Sequence, residues 1–456
     1  MISQSMRDAA LAVGGALSGA NVRFHGVSTD SRTLKPNELF VALKGDRFDG
    51  HDSIAEAHSR GAAGALVGGG RVSKPQLPQI EVADTRRALG ELAHVWRQRF
   101  DLTVVGITGS SGKTSTKEML AEILRQAGSV LATVGNLNND IGLPQTVFRL
   151  NAEHRYAVIE MGANRLHDIA ELATIAVPSI AVVTMCGPAH LAGFGSIENV
   201  ARAKGEIYRA LGTMGIAVIN ADDKFAALWR EMAANVSTYS FGIKNVTDVS
   251  ASSINLGGPN EGSVFNLETP LGSVLLHLPF DGLHNVYNAL AAATAAYASG
   301  ATLTQIKVGL EKASRVHGRL NVRRGIRGAA IIDDSYNANP ASLNAALAVL
   351  ARSTGRRWLL LGDMAELGST EVDEHRAAGL AARRMGVERL FALGPLSQEA
   401  VATFGVGARH FAQPSELVEA LRDELAADVT LLAKGSRVMQ LDQLVEALIE
   451  EGVAEC

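Results

Sequence analysis

One stretch of the chain concentrates phosphate chemistry: Val104-Val105-Gly106-Ile107-Thr108-Gly109-Ser110-Ser111-Gly112-Lys113-Thr114. An apolar run ends in a Gly-rich turn, then a lysine and a hydroxyl residue open a helical pattern. Glycines let backbone N–H groups fold inward around phosphate oxygens, and a helix N-terminus adds a positive field. Lys113 would reach the terminal phosphates and the Thr114 hydroxyl would ligate a magnesium ion. The spacing is Gly-x-x-Gly-Lys-Thr, with Ile107 standing where the common kinase and GTPase form has its first glycine. The alternative is an ordinary strand-to-helix turn, which the strand–loop–helix order argues against. Such a loop needs a carboxylate at the end of a neighbouring strand, and Tyr156-Ala157-Val158-Ile159-Glu160 offers Glu160. Alone, Glu160 reads as a solvated strand end; beside the loop it reads as a metal ligand. His190, in Gly187-Pro188-Ala189-His190-Leu191, follows the apolar run Ile180–Met185, where α/β proteins bind ligands. Lys204 sits among Ala201, Ala203, Ile207 and Tyr208 on a helical pattern beginning near Ile197. By residue type alone His190 and Lys204 read equally well as structural.

The elements that must position these residues are short apolar runs alternating with Ala/Leu-rich helical segments. Strands are predicted at Leu102–Thr108, Tyr156–Met161, Ile180–Met185, Ile216–Asn220, Ala329–Asp333, Trp358–Leu361, Leu390–Leu393 and Val429–Ala433. Several are apolar throughout, as parallel strands covered on both faces are. Between them, Thr116–Ala127 carries Met119, Leu120, Ile123 and Leu124 on one helical face, with Gly128 at its end. The rhythm predicts a right-handed, doubly wound α/β protein. It breaks at the helical stretch Thr85–Phe100 and again where Thr302–Ala313 leads through Ser314–Gly318 to a new strand. Three domains are therefore expected, at 1–82, 83–314 and 315–456, with the hinge near Ser314–Gly318. The turn-rich, alternating stretch Val246–Leu278 is expected to be a β-hairpin insert in the middle domain.

Length and composition agree. At about 150 residues per domain, 456 residues give roughly three. Apolar residues make up 47% and charged ones 20%, enough for cores and without the charge excess of a disordered chain. The 43 basic and 47 acidic residues leave a formal charge of -4, which argues against general nucleic-acid binding. Two cysteines, Cys186 and Cys456, make neither a disulfide framework nor a zinc knuckle. Leu172–Ile197 lacks Asp, Glu, Lys and Arg over a length that could span a bilayer. Pro178, Gly187, Pro188, His190, Gly193 and Gly195 interrupt it, so a buried strand and loop are expected instead. A soluble, cytoplasmic monomer without membrane insertion is the expectation.

At these residues the chain resembles the ATP-dependent Mur ligases over essentially its whole length. The resemblance rests on the Thr108–Thr114 loop, Glu160, His190 with Lys204, His284-Asn285-Val286-Tyr287-Asn288-Ala289 and His317-Gly318-Arg319-Leu320. It implies a small N-terminal α/β domain for a UDP-sugar, a central P-loop parallel-sheet ATPase domain and a C-terminal Rossmann-like α/β domain. It implies ATP and two Mg²⁺ ions, with Gly109, Ser110, Ser111, Gly112 and Lys113 on the phosphates. Thr114 and Glu160 would share one Mg²⁺, and His190 would help hold a second. Lys204 matches a lysine that several of these ligases carry as a carbamate. Asn285 and Asn288 would meet adenine, Arg319 a phosphate, and Asp334 the ribose or phosphate side, with the adjacent Asp333 as an alternative. Ser31, Arg32 and Asp49 would bind the UDP end of the substrate, with turn and cap roles as alternatives. Asn138 and Asn139 would face the acceptor, or simply make a turn. Asp363, Glu366, Lys434, Gly435, Ser436 and Arg437 follow apolar strands and would meet the second substrate.

Within the family, Gly135-Asn136-Leu137-Asn138-Asn139-Asp140-Ile141-Gly142, Glu160–Asn164, Asp334-Ser335-Tyr336-Asn337-Ala338-Asn339-Pro340 and Leu361–Gly368 point to one reaction. The resemblance implies the joining of D-alanyl-D-alanine to UDP-N-acetylmuramoyl-tripeptide through an acyl phosphate. The Asp-Asn-Pro-Arg loop of the ligase that adds the third residue is not found. Alternatives are that ligase, folylpolyglutamate synthase, or a nucleotide switch; for a GTPase the Asn-Lys-x-Asp guanine motif is missing.

Overall fold

The structure is a computed structural model that describes residues 1–69 and 77–450, so Cys456 lies outside the described residues. Three sheets carry the chain in order. The first has five strands, Ala16–Ser18, Gln79–Val82, Gly64–Gly68, Leu39–Val41 and Val27–Ser28, all parallel except the first pair. A separate two-stranded ladder pairs Ser3–Ser5 with Arg23–His25. The helix Thr85–Arg97, capped by Asp84, leads into the second sheet.

That sheet has nine strands in the order Gly272–Leu278, Ser263–Thr269, Val249–Leu256, Ser237–Gly242, Ile216–Asn220, Ile180–Val183, Thr103–Thr108, Tyr156–Glu160 and Val130–Ala132. Its parallel strands are apolar on both faces because helices cover both faces, as the uninterrupted runs predicted. The segment expected as a hairpin insert is instead the continuation of this sheet. Phe241 and Gly242 pair in parallel with Val249 and Ser250, and the two following strands add antiparallel. Its alternation turns Phe265, Leu267, Leu276 and Leu278 onto the Ala-rich helix Leu283–Ala298. An edge strand with an unpaired ladder invites such pairing.

The third sheet runs Asn321–Arg324, Ala330–Asp334, Val429–Lys434, Arg356–Gly362, Arg389–Leu393 and Ala408–Phe411, parallel after its first antiparallel pair. Its helices again cover two faces, with separate apolar clusters on each. The N-terminal sheet differs. Ile2, Met6, Phe24, Leu39 and Val41 belong to one apolar cluster with Leu89, Val104 and Ala157, so that unit shares a core with the middle sheet. Among the described residues, no helix is long and apolar enough to cross a membrane.

One buried carboxylate fixes how the chain leaves the middle sheet. Asp281 accepts from the Asn260 and Gly262 amides at 3.0 and 2.8 Å, and from the Arg315 guanidinium at 2.7 and 3.1 Å. Its side chain is 1% exposed and that of Arg315 16%. Arg315 also donates to the carbonyls of Pro279 and Leu320 at 2.8 and 3.3 Å. The residues expected to hinge are thus pinned at Arg315. Replacing Asp281 by Ala leaves that guanidinium buried without its counter-charge, and should cost roughly 3–5 kcal/mol. Urea denaturation of the variant beside the parent checks this.

Candidate active site

The strand Thr103–Thr108 lies between Tyr156–Glu160 and Ile180–Val183, all parallel. From it the chain first builds outward on one side and then crosses to the other, which opens a crevice at the strands' carboxyl ends. The loop Gly109–Gly112 fills that crevice and the helix Lys113–Arg125 starts directly after it. Gly112 has φ +83°, and a Cβ there would sit 2.2 Å from Asn288 Oδ1. Conformation and space both demand glycine. Thr184 Oγ1 braces the loop by donating to the Ser111 carbonyl at 2.6 Å. The Lys113 ammonium folds back onto the Gly109 carbonyl at 2.8 Å. Burial lowers its pKa, opposed by the Glu160 carboxylate.

Glu160 is 2% exposed at its strand end. Thr114 Oγ1 donates to one of its oxygens at 2.9 Å and Asn138 Nδ2 to the other at 2.8 Å. Its own amide donates to Thr133 Oγ1 at 3.0 Å. Arg319 arrives from beyond the linker, donating to Thr114 Oγ1 at 3.3 Å with its guanidinium 4.5 Å over the Tyr336 ring. Asn339 Nδ2 donates to Ser111 Oγ at 3.2 Å. Asp334 accepts from the buried Lys434 ammonium and lines the cavity, whereas Asp333 is fully buried beneath the Ser335 turn.

His190 sits at φ +52° and pairs through Nδ1 with Glu366 of the third sheet's loop. Lys204 is buried behind Ala163, whose carbonyl it reaches at 3.4 Å, with its ammonium 5.6 Å from the Phe194 ring centroid. Burial, and secondarily the Lys113 charge, push its pKa down to about 7. Among the described residues no group of three His, Cys, Asp or Glu side chains gathers as a metal cage. The Thr114–Glu160 pair still fits magnesium, which needs only one or two protein oxygens alongside phosphates and water. As an ammonium or a free amine, Lys204 has no oxygen to offer a hard cation.

These side chains surround a cavity of about 940 Å³. Of the residues singled out in sequence, Ser110, Ser111, Gly112, Lys113, Asn138, Asn139, Glu160, His190, Asn285, Asn288, Arg319, Asp334, Glu366, Lys434 and Arg437 line it, whereas Asp363, Gly435 and Ser436 do not. Gly109, Thr114 and Lys204 stand immediately behind that lining. Asn285 is already engaged, donating to the Asp281 carbonyl at 2.9 Å and accepting from Asn288 at 2.9 Å, so the pair braces the loop's back. Asn139 accepts from the Gly142 amide at 2.8 Å, a turn contact. Ser31, Arg32 and Asp49 lie outside this cavity. Ser31 donates to Glu56 at 2.7 Å, and Arg32 forks onto Asp30 at 2.9 and 2.7 Å. Asp49 holds the His51 ring nitrogen Nδ1 at 2.5 Å. Sequence reading missed Arg86, Arg165, Tyr287, Tyr336 and Asn339 as cavity residues. Tyr336 and Asn339 stood in a quoted motif, while Arg86 and Arg165 carry no local signal.

A P-loop on a parallel sheet, completed by an arginine and an asparagine from a second α/β sheet, defines an enzyme acting on a nucleotide between two units. Comparison with known proteins narrows this. The Mur ligase middle domain matches residues 107–296, the Mur ligase glutamate ligase domain 318–437, and the Mur ligase family catalytic domain 23–97. The chain belongs to the Mur ligase family. It is 44% identical to the UDP-N-acetylmuramoyl-tripeptide–D-alanyl-D-alanine ligase of Escherichia coli K12, over 99% of this chain and all of that one. A crystal structure of MurF from Acinetobacter baumannii superposes with a TM-score of 0.92 at 35% identity, covering 98% of each chain. A Thermotoga maritima MurF ligase in complex with ADP gives 0.82 at 28%, covering 93% of this chain and 96% of that one.

The depressed pKa of Lys204 has a stability consequence. Its folded value of about 7 lies below the unfolded one, so between these the unfolded chain holds the extra proton. Stability conferred by this group therefore rises as pH climbs from about 7 toward about 10, by at most about 1.4 kcal/mol per pH unit. Denaturation midpoints of Lys204→Met across that range, set against the parent, should lack this rise.

Proposed function

We propose that the protein joins D-alanyl-D-alanine to UDP-N-acetylmuramoyl-tripeptide at the expense of ATP. The observation that carries this reading is the P-loop closed by Arg319 and Asn339 from the third sheet, in a chain 44% identical over its length to a ligase of that name. The units expected at 1–82, 83–314 and 315–456 then serve the UDP-sugar, ATP and closure over both.

The terminal tripeptide carboxylate attacks the γ-phosphorus of ATP. As that P–O bond forms, the bond to the β–γ bridging oxygen breaks, giving ADP and an acyl phosphate. The dipeptide's free amine then attacks the acyl carbon, a proton leaves the nitrogen, and inorganic phosphate departs as the amide forms. Two anions must approach in the first step, so electrostatic neutralisation dominates catalysis. Lys113 turns from the Gly109 carbonyl to the β- and γ-phosphates, and the amides of Ser110, Ser111 and Gly112 cradle them. Arg319, held by the Tyr336 face, meets the transferring phosphate. Asp334 faces the ribose side. Thr114 and Glu160 would hold a Mg²⁺, which would supply charge neutralisation of the phosphates. His190 would help hold a second Mg²⁺, to which Lys204 could lend an oxygen only as a carbamate. Its depressed pKa keeps a large share of this amine unprotonated near neutrality, the form that adds CO₂.

Phosphate release should require all three substrates, and Lys113→Ala should lower it by at least a hundredfold with the denaturation midpoint nearly unchanged. Free amino acids replacing the dipeptide and supporting equal turnover would defeat the assignment of acceptor. An added CO₂ mass on Lys204 of the parent, together with recovery of Lys204→Ala activity by short carboxylic acids, is the expected signature of the carbamate.

A further inference from the structure

In the wall of the large cavity, one side-chain pair joins the middle unit to the third. Nδ1 of His190 stands against the carboxylate of Glu366. Both residues line the cavity, with side chains 29% and 56% exposed. Both also hold left-handed backbone, at φ +52° and +65°. A non-glycine residue keeps that conformation only where its surroundings impose it, and such residues gather at functional sites.

Each side of the pair is fixed independently. Behind Glu366, the Met364 amide donates to His375 Nε2 at 2.9 Å, and the fully buried His375 donates from Nδ1 to the Glu371 carbonyl at 2.6 Å. The Ala365 amide donates to Ser436 Oγ at 2.7 Å, and Leu367 is buried in the third sheet's core. The loop is thus held on either side of Glu366. Across the boundary, the Gly193 and Phe194 amides donate to the His190 carbonyl at 3.0 and 3.1 Å, and Phe194 is buried. The Ala192 amide reaches the Glu366 carbonyl at 3.4 Å, and a Cβ on Gly368 would stand 3.3 Å from the Ala192 nitrogen. Seating one loop on the other therefore brings ring and carboxylate together. An ionised carboxylate only accepts hydrogen bonds, so in the neutral ring the nitrogen facing it carries the proton and the lone pair falls on Nε2. Imidazole in that form is a metal ligand, and a carboxylate on its far nitrogen fixes the ring and raises its basicity.

We infer that Glu366 is a positioning residue for His190: it orients the ring and places the lone pair on Nε2 while the third unit's loop is seated on the middle one. The inference rests on the ligase reading above, in which His190 would help hold a second Mg²⁺. It ties the setting of His190 to the same approach of the third unit that brings Arg319 and Asn339 to the P-loop. It also gives Glu366 a task other than meeting the second substrate.

The test joins a spectrum to a kinetic cycle, both on the full chain. With histidine rings labelled with ¹⁵N and ADP saturating, His190, assigned by its loss in His190→Ala, should show Nδ1 protonated and Nε2 bare. Glu366→Ala should remove this preference, and Glu366→Gln, whose carbonyl still accepts, should keep it. In phosphate release, Glu366→Ala should lower kcat by roughly tenfold to a hundredfold, with the KM for D-alanyl-D-alanine within about twofold of the parent. In a His190→Ala background the same change should cost less than about twofold, because residues acting through one another are not additive. An equal loss in both backgrounds, or an unchanged His190 spectrum in Glu366→Ala, would overturn the inference. A raised KM for the dipeptide with kcat kept would do the same, placing Glu366 on the incoming amine. The spectrum needs no turnover. A parent that shows the Nδ1 tautomer, loses it in Glu366→Ala and ligates nothing would defeat the proposed function and leave the positioning role standing.

Discussion

Glu160 is a carboxylate almost wholly removed from water, and the site is arranged around satisfying it. A buried carboxylate is costly unless its oxygens are hydrogen-bonded. Here one oxygen takes the Thr114 hydroxyl, from the first turn of the P-loop helix, and the other takes Asn138, from the loop after Val130–Ala132. Thr133 holds the Glu160 amide, and Thr133 is held in turn by the buried Lys117 through its carbonyl at 2.6 Å. Loop, helix and two strands are thereby set in one mutual position before any ligand arrives. The same arrangement leaves Thr114 and Glu160 as adjacent hard oxygens, the pair a phosphate-borne magnesium needs.

A second constraint acts from the other side of the loop. Asn288 stands so close to Gly112 that no side chain fits there. Asn288 is held by Asn285, and Asn285 by the backbone of Asp281, the residue that also fixes Arg315. The rear of the phosphate loop and the exit from the middle sheet are therefore ends of one hydrogen-bonded chain. Asn285 and Asn288 thus brace the loop from behind.

Much of this was legible in sequence, because it depends on short-range pattern. The apolar runs around Val105, Val158 and Val182 became parallel strands, and Gly-Lys-Thr marked the loop, since backbone geometry and phosphate chemistry each restrict residue choice locally. The stretch Val246–Leu278 was read as strands correctly but as an insert wrongly. Alternation shows that a strand has a buried face and does not say which free edge it will join. Arg86 was invisible for a related reason. It lines two cavities at once, and no spacing along the chain encodes their meeting. Asp333 and Asp334 could not be separated by pattern either; the register of Ala330–Asp334 against Val429–Lys434 puts Asp334 beside Lys434 and buries Asp333.

The contacts that complete the site are weaker than those that build its halves. Within the middle sheet the loop is held by buried, well-aligned bonds such as Thr184 to Ser111 at 2.6 Å. Across to the third sheet, Arg319 reaches Thr114 at 3.3 Å and Asn339 reaches Ser111 at 3.2 Å, each a single bond onto a hydroxyl that a phosphate or metal can claim. His190 and Glu366, one from each unit, also meet across this boundary. A nucleotide entering between the units can therefore take over Ser111 and Lys113 while Asn138 and Thr133 continue to hold Glu160. Away from the loop, Arg352 donates to the Leu256 and Gly257 carbonyls at 2.5 and 3.1 Å, so the two sheets stay tied by contacts the site does not use while those at Thr114 and Ser111 can be exchanged.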